Sequence, residues 1–252
     1  MKYIILLVIT SIVILSLIHF RNKNNKQTGS SIDSIDSSLE PIQINSVPDL
    51  PAAFGYKNQW IAIKTADTKA IVDELNLKNV QISNWNSGLE GANMGYYFIS
   101  PPINGWTFVV NSRMPDISSE NSSMSPITII THLSERFNEA YYFGTHRVVE
   151  YHAWAKAING RCIRSFGFLG ETGEVLIDNG DLTQEEIDNN LIFSNQSEDE
   201  LNSPNEEDVL LLAKLWSQDT QLEEGQSRYI KGTGFVGTIK EENRKNTSLL
   251  RS

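Results

Sequence analysis

Cysteine is almost missing from this sequence: Cys162 is the only one in 252 residues. No intramolecular disulfide can therefore form, and no cysteine-based metal cluster can be built from one chain. No lipobox cysteine stands directly after the N-terminal apolar run either, which excludes lipoprotein processing of that run. Catalytic signatures are missing too, since G-x-S-x-G, H-E-x-x-H and Walker A patterns do not occur. GTGFVG at 232–237 satisfies G-x-G-x-x-G by letter alone. It opens no amphipathic helix within a βαβ unit, so it marks no dinucleotide site. Neither a cofactor nor a metal is expected.

Basic residues are scarce, at 21 Lys and Arg against 31 Asp and Glu, for a net charge of −10. Four of those bases, Lys2, Arg21, Lys23 and Lys26, precede Gln27, which leaves 17 against 31 acids and about −14 on the remainder. Such a surface repels phosphate backbones and anionic lipid headgroups, so no nucleic-acid partner is expected, and an electrostatically steered partner should be a basic protein.

What is present begins with YIILLVITSIVILSLIHF, 18 residues from Tyr3 to Phe20 without an acid, Lys or Arg. At about 1.5 Å per residue a helix here reaches roughly 27 Å, enough to span a bilayer core. The following SLIHFRNKNN lacks the small residues of a signal-peptide cleavage site. Residues 3–20 are accordingly expected to be an uncleaved transmembrane helix, the chain's one membrane contact. Arg21, Lys23 and Lys26 outweigh Lys2 and the amino terminus, which puts the following domain on the cytoplasmic side.

The expected organisation is an anchor with its basic flank (1–26), a flexible Asn/Ser/Asp-rich tether (27–53), a globular domain (54–220) and a charged tail (221–252) in which GTGFVGTI could add an edge strand. Within the domain, strands are expected at Trp60–Lys64, Gly95–Ile99 and Trp106–Val110, then near 140–144, 148–157, 161–169 and 173–178. Helices are expected at Asp67–Asn76, after Ser125-Pro126, after Thr183 and before Trp216. Thr183 with Glu186, and Ser203 with Glu206, have capping-box spacing, and Val209, Leu212, Ala213 and Trp216 make one apolar stripe. Consecutive strands between helices give the class α+β: a mostly antiparallel sheet packed with about four helices, behind the transmembrane helix.

The most determinate piece is the hairpin at Asn159-Gly160, a two-residue loop that sets Ile158 opposite Arg161 and Ala157 opposite Cys162. Counting back along both strands, Ala155 pairs with Arg164, Ala153 with Phe166 and His152 with Gly167. Cys162 then lies on a packed face as a structural thiol. The other face carries Glu150, His152, Trp154 and Lys156, continuing toward His146. An indole amid polar groups on a rigid sheet makes these five the candidate binding residues. Its plain alternative is a solvated sheet face. Glu150-x-His152 also has ligand-like spacing, but six residues of strand put His146 about 20 Å from His152, too far to share a metal.

WIAIKT, YYFGTHRVVEYHAWAKAINGRCIRSFGFLGETGE and PNEEDVLLLAKLW resemble segments of uncharacterised bacterial proteins, over residues 56–220. The resemblance implies a bacterial source, hence the bacterial inner membrane for the anchor, and a single-domain fold; it assigns no residue a role. Two functions remain open at this point. One is a membrane-tethered, non-catalytic module that captures a basic protein in an immunity-type or regulatory role. The other is a small hydrolase or transferase using His152 or His146 with Glu150 or Glu171 as acid and base.

Overall fold

A computed structural model describes residues 39–119, 125–193, 203–222 and 229–239. Nine strands form one sheet: β1 (Gln59–Ile63), β2 (Lys78–Ser83), β3 (Tyr97–Ile99), β4 (Thr107–Val110), β5 (Glu139–His146), β6 (Tyr151–Ile158), β7 (Arg161–Leu169), β8 (Glu174–Asn179) and β9 (Gly234–Thr238). Their spatial order is β2-β9-β3-β4-β1-β5-β6-β7-β8, and all neighbouring pairs are antiparallel. Five helices accompany it among the described residues: α1 (Thr68–Glu74), α2 (Trp85–Asn93), α3 (Pro126–Phe137), α4 (Gln184–Asp188) and α5 (Glu206–Trp216).

The sequence-based class is corrected by this architecture. In place of about four helices behind a membrane span, the chain builds an antiparallel sheet with five short helices. Among the described residues no helix is long and apolar enough to cross a membrane. The longest, α3, has 12 residues, about 18 Å against a core of about 30 Å. The transmembrane helix expected at 3–20 lies outside the described residues, so the single-pass inner-membrane location and the membrane contact that rested on it are not supported.

Both faces of the sheet are covered, which divides the core in two. On one side Trp60, Phe98, Phe108, Phe143, Trp154 and Phe166 meet α2 and α5, whose Trp85, Val209, Leu212, Ala213 and Trp216 are buried there. On the other, Ile61, Val109, Tyr142, Ala153, Ala155 and Ala157 meet α1 and α3 through Ile71, Val72, Ile129, Ile130 and Leu133. The apolar stripe predicted on α5 is the buried one. Small alanines along β6 let α3 lie close to the sheet, while large aromatics fill the wider gap opposite.

Several local features follow their sequence signals. Asn159 and Gly160 have φ of 49° and 77°, as a type I′ hairpin turn requires. Thr183 and Glu186 form the reciprocal capping box of α4. In α5 the box belongs to Asn205 and Asp208 instead of Ser203 and Glu206, which frees the Glu206 carboxylate for other bonds. The strand in GTGFVGTI is β9, and it lies between β2 and β3 instead of at an edge. Part of the expected tether is also tied down. Asp49 accepts from the backbone N–H groups of Trp85 (2.7 Å) and Asn86 (3.1 Å) at the start of α2, and Asn45 O accepts from Asn84 N at 2.7 Å.

Helix α2 approaches the sheet through Gly88, where an added Cβ would lie 2.2–2.6 Å from atoms of the Phe98 ring. Alanine gains up to about 1 kcal/mol in helix propensity, but overpacking here costs about 1–3 kcal/mol. Gly88→Ala is expected to lower the urea midpoint. An unchanged or higher midpoint would show that α2 can lift off Phe98 without penalty.

Candidate functional site

The face expected to be an open binding surface is closed. Trp154 is fully buried, stacked on Phe166 at 4.6 Å between ring centroids. Its indole N–H donates to Glu186 Oε1 at 2.8 Å. Glu186, also fully buried, accepts from Arg164 Nε through Oε1 (2.9 Å) and Oε2 (3.1 Å) and from Thr183 N at 2.8 Å. Arg164 Nη1 donates further to Asp178 Oδ1 at 2.6 Å and to the carbonyls of Ser165 and Asn179 at 3.2 Å. The cluster is a completed set of charge-assisted bonds under α4.

Arg164 reaches this face because β7 carries a bulge. The pairs Ile158–Arg161 and Ala157–Cys162 form as the turn dictates, but the next pair is Lys156–Arg164, so Ile163 is the extra residue. Beyond it every β7 side chain is inverted relative to the unbulged register. Trp154 is therefore opposite Phe166, and His152 opposite Phe168 instead of Gly167. Cys162 is half-buried, and burial pushes its thiol pKa up, which removes thiolate character.

Lys156 is also folded inward. Its Nζ lies over the rings of Trp216 (4.9 Å) and Tyr141 (5.2 Å) and 3.9 Å from Glu185 Oε1. That arrangement satisfies the ammonium locally.

His152 is buried against Thr145, with Nδ1 3.4 Å from Thr145 Oγ1. The Thr145 hydroxyl donates to Glu206 Oε1 at 3.2 Å, so the Nδ1–H tautomer of His152 fits the chain of bonds. Glu206 also accepts from Lys57 N at 3.0 Å and Arg147 Nε at 2.9 Å, with a second bond from Arg147 Nη2. Burial pushes the Glu206 pKa up, but the Arg147 bonds, Lys57 N–H and Thr145 hydroxyl outweigh it and hold the carboxyl below its ordinary range. Burial lowers the His152 pKa to about 4 against the opposing pull of Glu206, so the imidazole is neutral at pH 7.

The remaining expected residues lie at the end of the sheet. His146 is exposed at the end of β5, opposite Tyr151. Glu150 is exposed in the β5–β6 turn with φ of 51°. Its carbonyl accepts from Gly170 N at 2.9 Å, and Val149 O accepts from Glu171 N at 3.2 Å, which holds the β5–β6 and β7–β8 turns side by side. No hydrogen bond or ion pair joins His152 or His146 to Glu150 or Glu171. Among the described residues no group of three or more His, Cys, Asp or Glu side chains is placed to hold a metal ion. Two open depressions lie elsewhere, one of about 590 Å³ beside Asn45, Asn84 and Ser87, the other of about 220 Å³ beside Tyr56, Asn58, Asn93 and Gln221. None of the five expected residues lines either.

No family model, curated protein or solved structure matches this chain. The geometry alone carries the argument. What the candidate region does present is negative charge. From Ser165 to Ala213 the chain has 13 Asp and Glu and no Lys, Arg or His. The second half of β7, β8, α4 and most of α5 fold from this stretch. Glu171, Glu174, Asp178, Asp181 and Asp188 are exposed on it, and among the described residues Asp178 is the one of these with an ion pair. That 49-residue gap in basic residues was visible in the sequence and is a clearer signal than the spacing of His152 and Trp154.

Two stability predictions follow from the buried groups. Glu186→Ala leaves Arg164 without its main partner under α4 and is expected to cost about 3–5 kcal/mol, whereas Arg164→Met combined with Glu186→Leu should cost less than Glu186→Ala alone. Urea titration of the three proteins decides it, and a Glu186→Ala loss below about 1 kcal/mol would mean that water replaces the pair. For His152, the unfolded chain takes up a proton near pH 6.5 and the folded one only near pH 4. Its contribution is thus complete above pH 6.5 and lost as pH falls toward 4, by about 1–3 kcal/mol. His152→Gln should flatten the stability profile between pH 6.5 and 4 relative to the native protein; parallel profiles would show that His152 charges as readily when folded.

Proposed function

We propose that this protein is a non-catalytic binding module whose acidic face captures a basic protein, in an immunity-type or regulatory role. The observation that carries the reading is the base-free stretch from Ser165 to Ala213, with four exposed acids on β8, α4 and their flanking turns that form no ion pair among the described residues. A field of one sign steers an oppositely charged partner and rejects like-charged ones. The acid–base alternative loses support from the same geometry, because His152 is buried against Thr145 and neither it nor the exposed His146 is bonded to Glu150 or Glu171. A solvent-inaccessible, neutral His152 stabilises the sheet end and leaves the outer carboxylates as the accessible chemistry.

Binding of the full-length chain to a small set of purified basic and acidic proteins, followed by surface plasmon resonance across salt concentrations, tests this. Lysozyme and cytochrome c serve as basic probes and an acidic albumin as the control. Association with the basic probes at low salt, weakened at least about tenfold at 0.5 M salt, is expected. Equal retention of acidic and basic probes, or binding insensitive to salt, would sink the reading.

A further inference from the structure

The two ends of the sheet differ in what they offer a partner. At one end β2 is paired only with β9; at the other β8 is paired only with β7. Each leaves a row of backbone N–H and C=O groups without a strand partner among the described residues, the feature that recruits further strands. Strand β2 carries Lys78 and has no acid between Lys78 and Ser83. Strand β8 reads Glu-Val-Leu-Ile-Asp-Asn, with Val175, Leu176 and Ile177 half-buried and Glu174 and Asp178 exposed. Glu171 and Asp181 flank it, also exposed, and no base lies within the 49 residues that contain it.

We infer that the outer edge of β8 is the docking surface, and that its occupant is an extended, lysine- or arginine-bearing segment of the basic partner, added antiparallel or parallel as a tenth strand. The inference rests on the function proposed above and names the surface and the mode of binding. Strand addition supplies main-chain hydrogen bonds for affinity, while alternate side chains carry specificity. The half-buried Val175 lies on the Phe168 side of the sheet, and Leu176 and Ile177 pack with the opposite core, so apolar side chains of an added strand would extend both. Its cations would meet Glu171, Glu174 and Asp181, three exposed carboxylates without an ion pair among the described residues.

The same features work against the most obvious competitor, a second copy of this chain. Two β8 edges brought together would set the acids of one against those of the other, which is destabilising for directly opposed like charges. The bulge at Leu176, where Gly167 pairs with Ile177 and Phe168 already pairs with Val175, further twists the edge out of register with a copy of itself. Only a strand of opposite charge gains from the acids.

The test uses the full-length chain and a blocked ten-residue peptide alternating lysine with valine or threonine. Two control peptides accompany it: one with glutamate in place of lysine, and one with the lysine pattern but N-methyl groups on alternate amides, which removes strand pairing and leaves the charge intact. Fluorescence anisotropy gives the affinities, and hydrogen exchange by mass spectrometry locates protection. The lysine peptide is expected to bind, with new protection confined to residues 174–179. N-methylation should weaken it at least tenfold, as should Glu171→Lys, Glu174→Lys and Asp181→Lys together. Binding that N-methylation leaves unchanged, or protection centred away from β8, overturns the edge while leaving acidic capture standing. Failure of the lysine peptide to bind, combined with failure of the basic protein probes, overturns both.

Discussion

The structure at this end of the sheet depends on one constraint: a guanidinium and a carboxylate, Arg164 and Glu186, are both taken out of water and must find each other. An unpaired charge in such a place would cost several kcal/mol, so the pair dictates where its neighbours go. Glu186 is held by the first turn of α4, where Thr183 caps the helix and is capped in return. Arg164 is held by β7, one residue past the Ile163 bulge. Trp154 spends its indole N–H on the same carboxylate. Short as it is, α4 cannot drift from the sheet without breaking bonds from two strands, β6 and β7, at once, and Phe193 closes the stack beside Trp154 and Phe166.

That internal use of charge decides what remains outside. Several bases around the acidic stretch are consumed: Arg164 by Glu186 and Asp178, Arg147 by Glu206, Lys156 by two aromatic rings and Glu185, and Lys214 by Asp219, while Arg161 at the start of β7 stays exposed. Glu206 and Glu186 turn inward as partners. Glu171, Glu174, Asp181 and Asp188 are exposed and form no ion pair among the described residues. One acidic run is thus divided between inward partners and outward charge, and the division follows from which carboxylates the fold brings next to a base.

Much of the scaffold was legible in the sequence because local rules govern it. Asn159-Gly160 set the first two hairpin pairs, Thr183 and Glu186 their box, and the 209–216 stripe its buried helix face. The burial of Trp154 and His152 escapes the sequence for a nonlocal reason. A single bulge at Ile163 inverts the facing of everything after it, and no residue there signals a bulge as a glycine would. An unbulged count put Arg164 and Phe166 on the alanine face and left Trp154 exposed. Whether a helix covers a strand face is likewise decided far along the chain, here by α4 and α5, which begin 30 and 52 residues after Trp154. The position of β9 is a tertiary choice of the same kind, since its segment joins β2 and β3 across more than 130 residues. The membrane helix differs again, being a local inference whose residues lie outside those described.

An edge strand is ordinarily a liability, and both edges of this sheet carry a bulge that limits indiscriminate pairing. The two are nonetheless not equivalent. Protection at β2 relies on the irregularity between Lys78 and Gln81 beside a single base, while β8 adds a charge barrier that acts on sign. A barrier of sign is selective where a purely steric one is not: it raises the cost for another copy of the chain and for most acidic proteins, and lowers it for a cationic strand. If discouraging association were the sole demand, alternating charges or a lysine-rich edge would serve as well, without the self-repulsion of an unbalanced acidic run. Retaining 13 acids and no base across the stretch that builds this edge is the more costly solution for folding, and it gains something only where a basic partner supplies the missing charge.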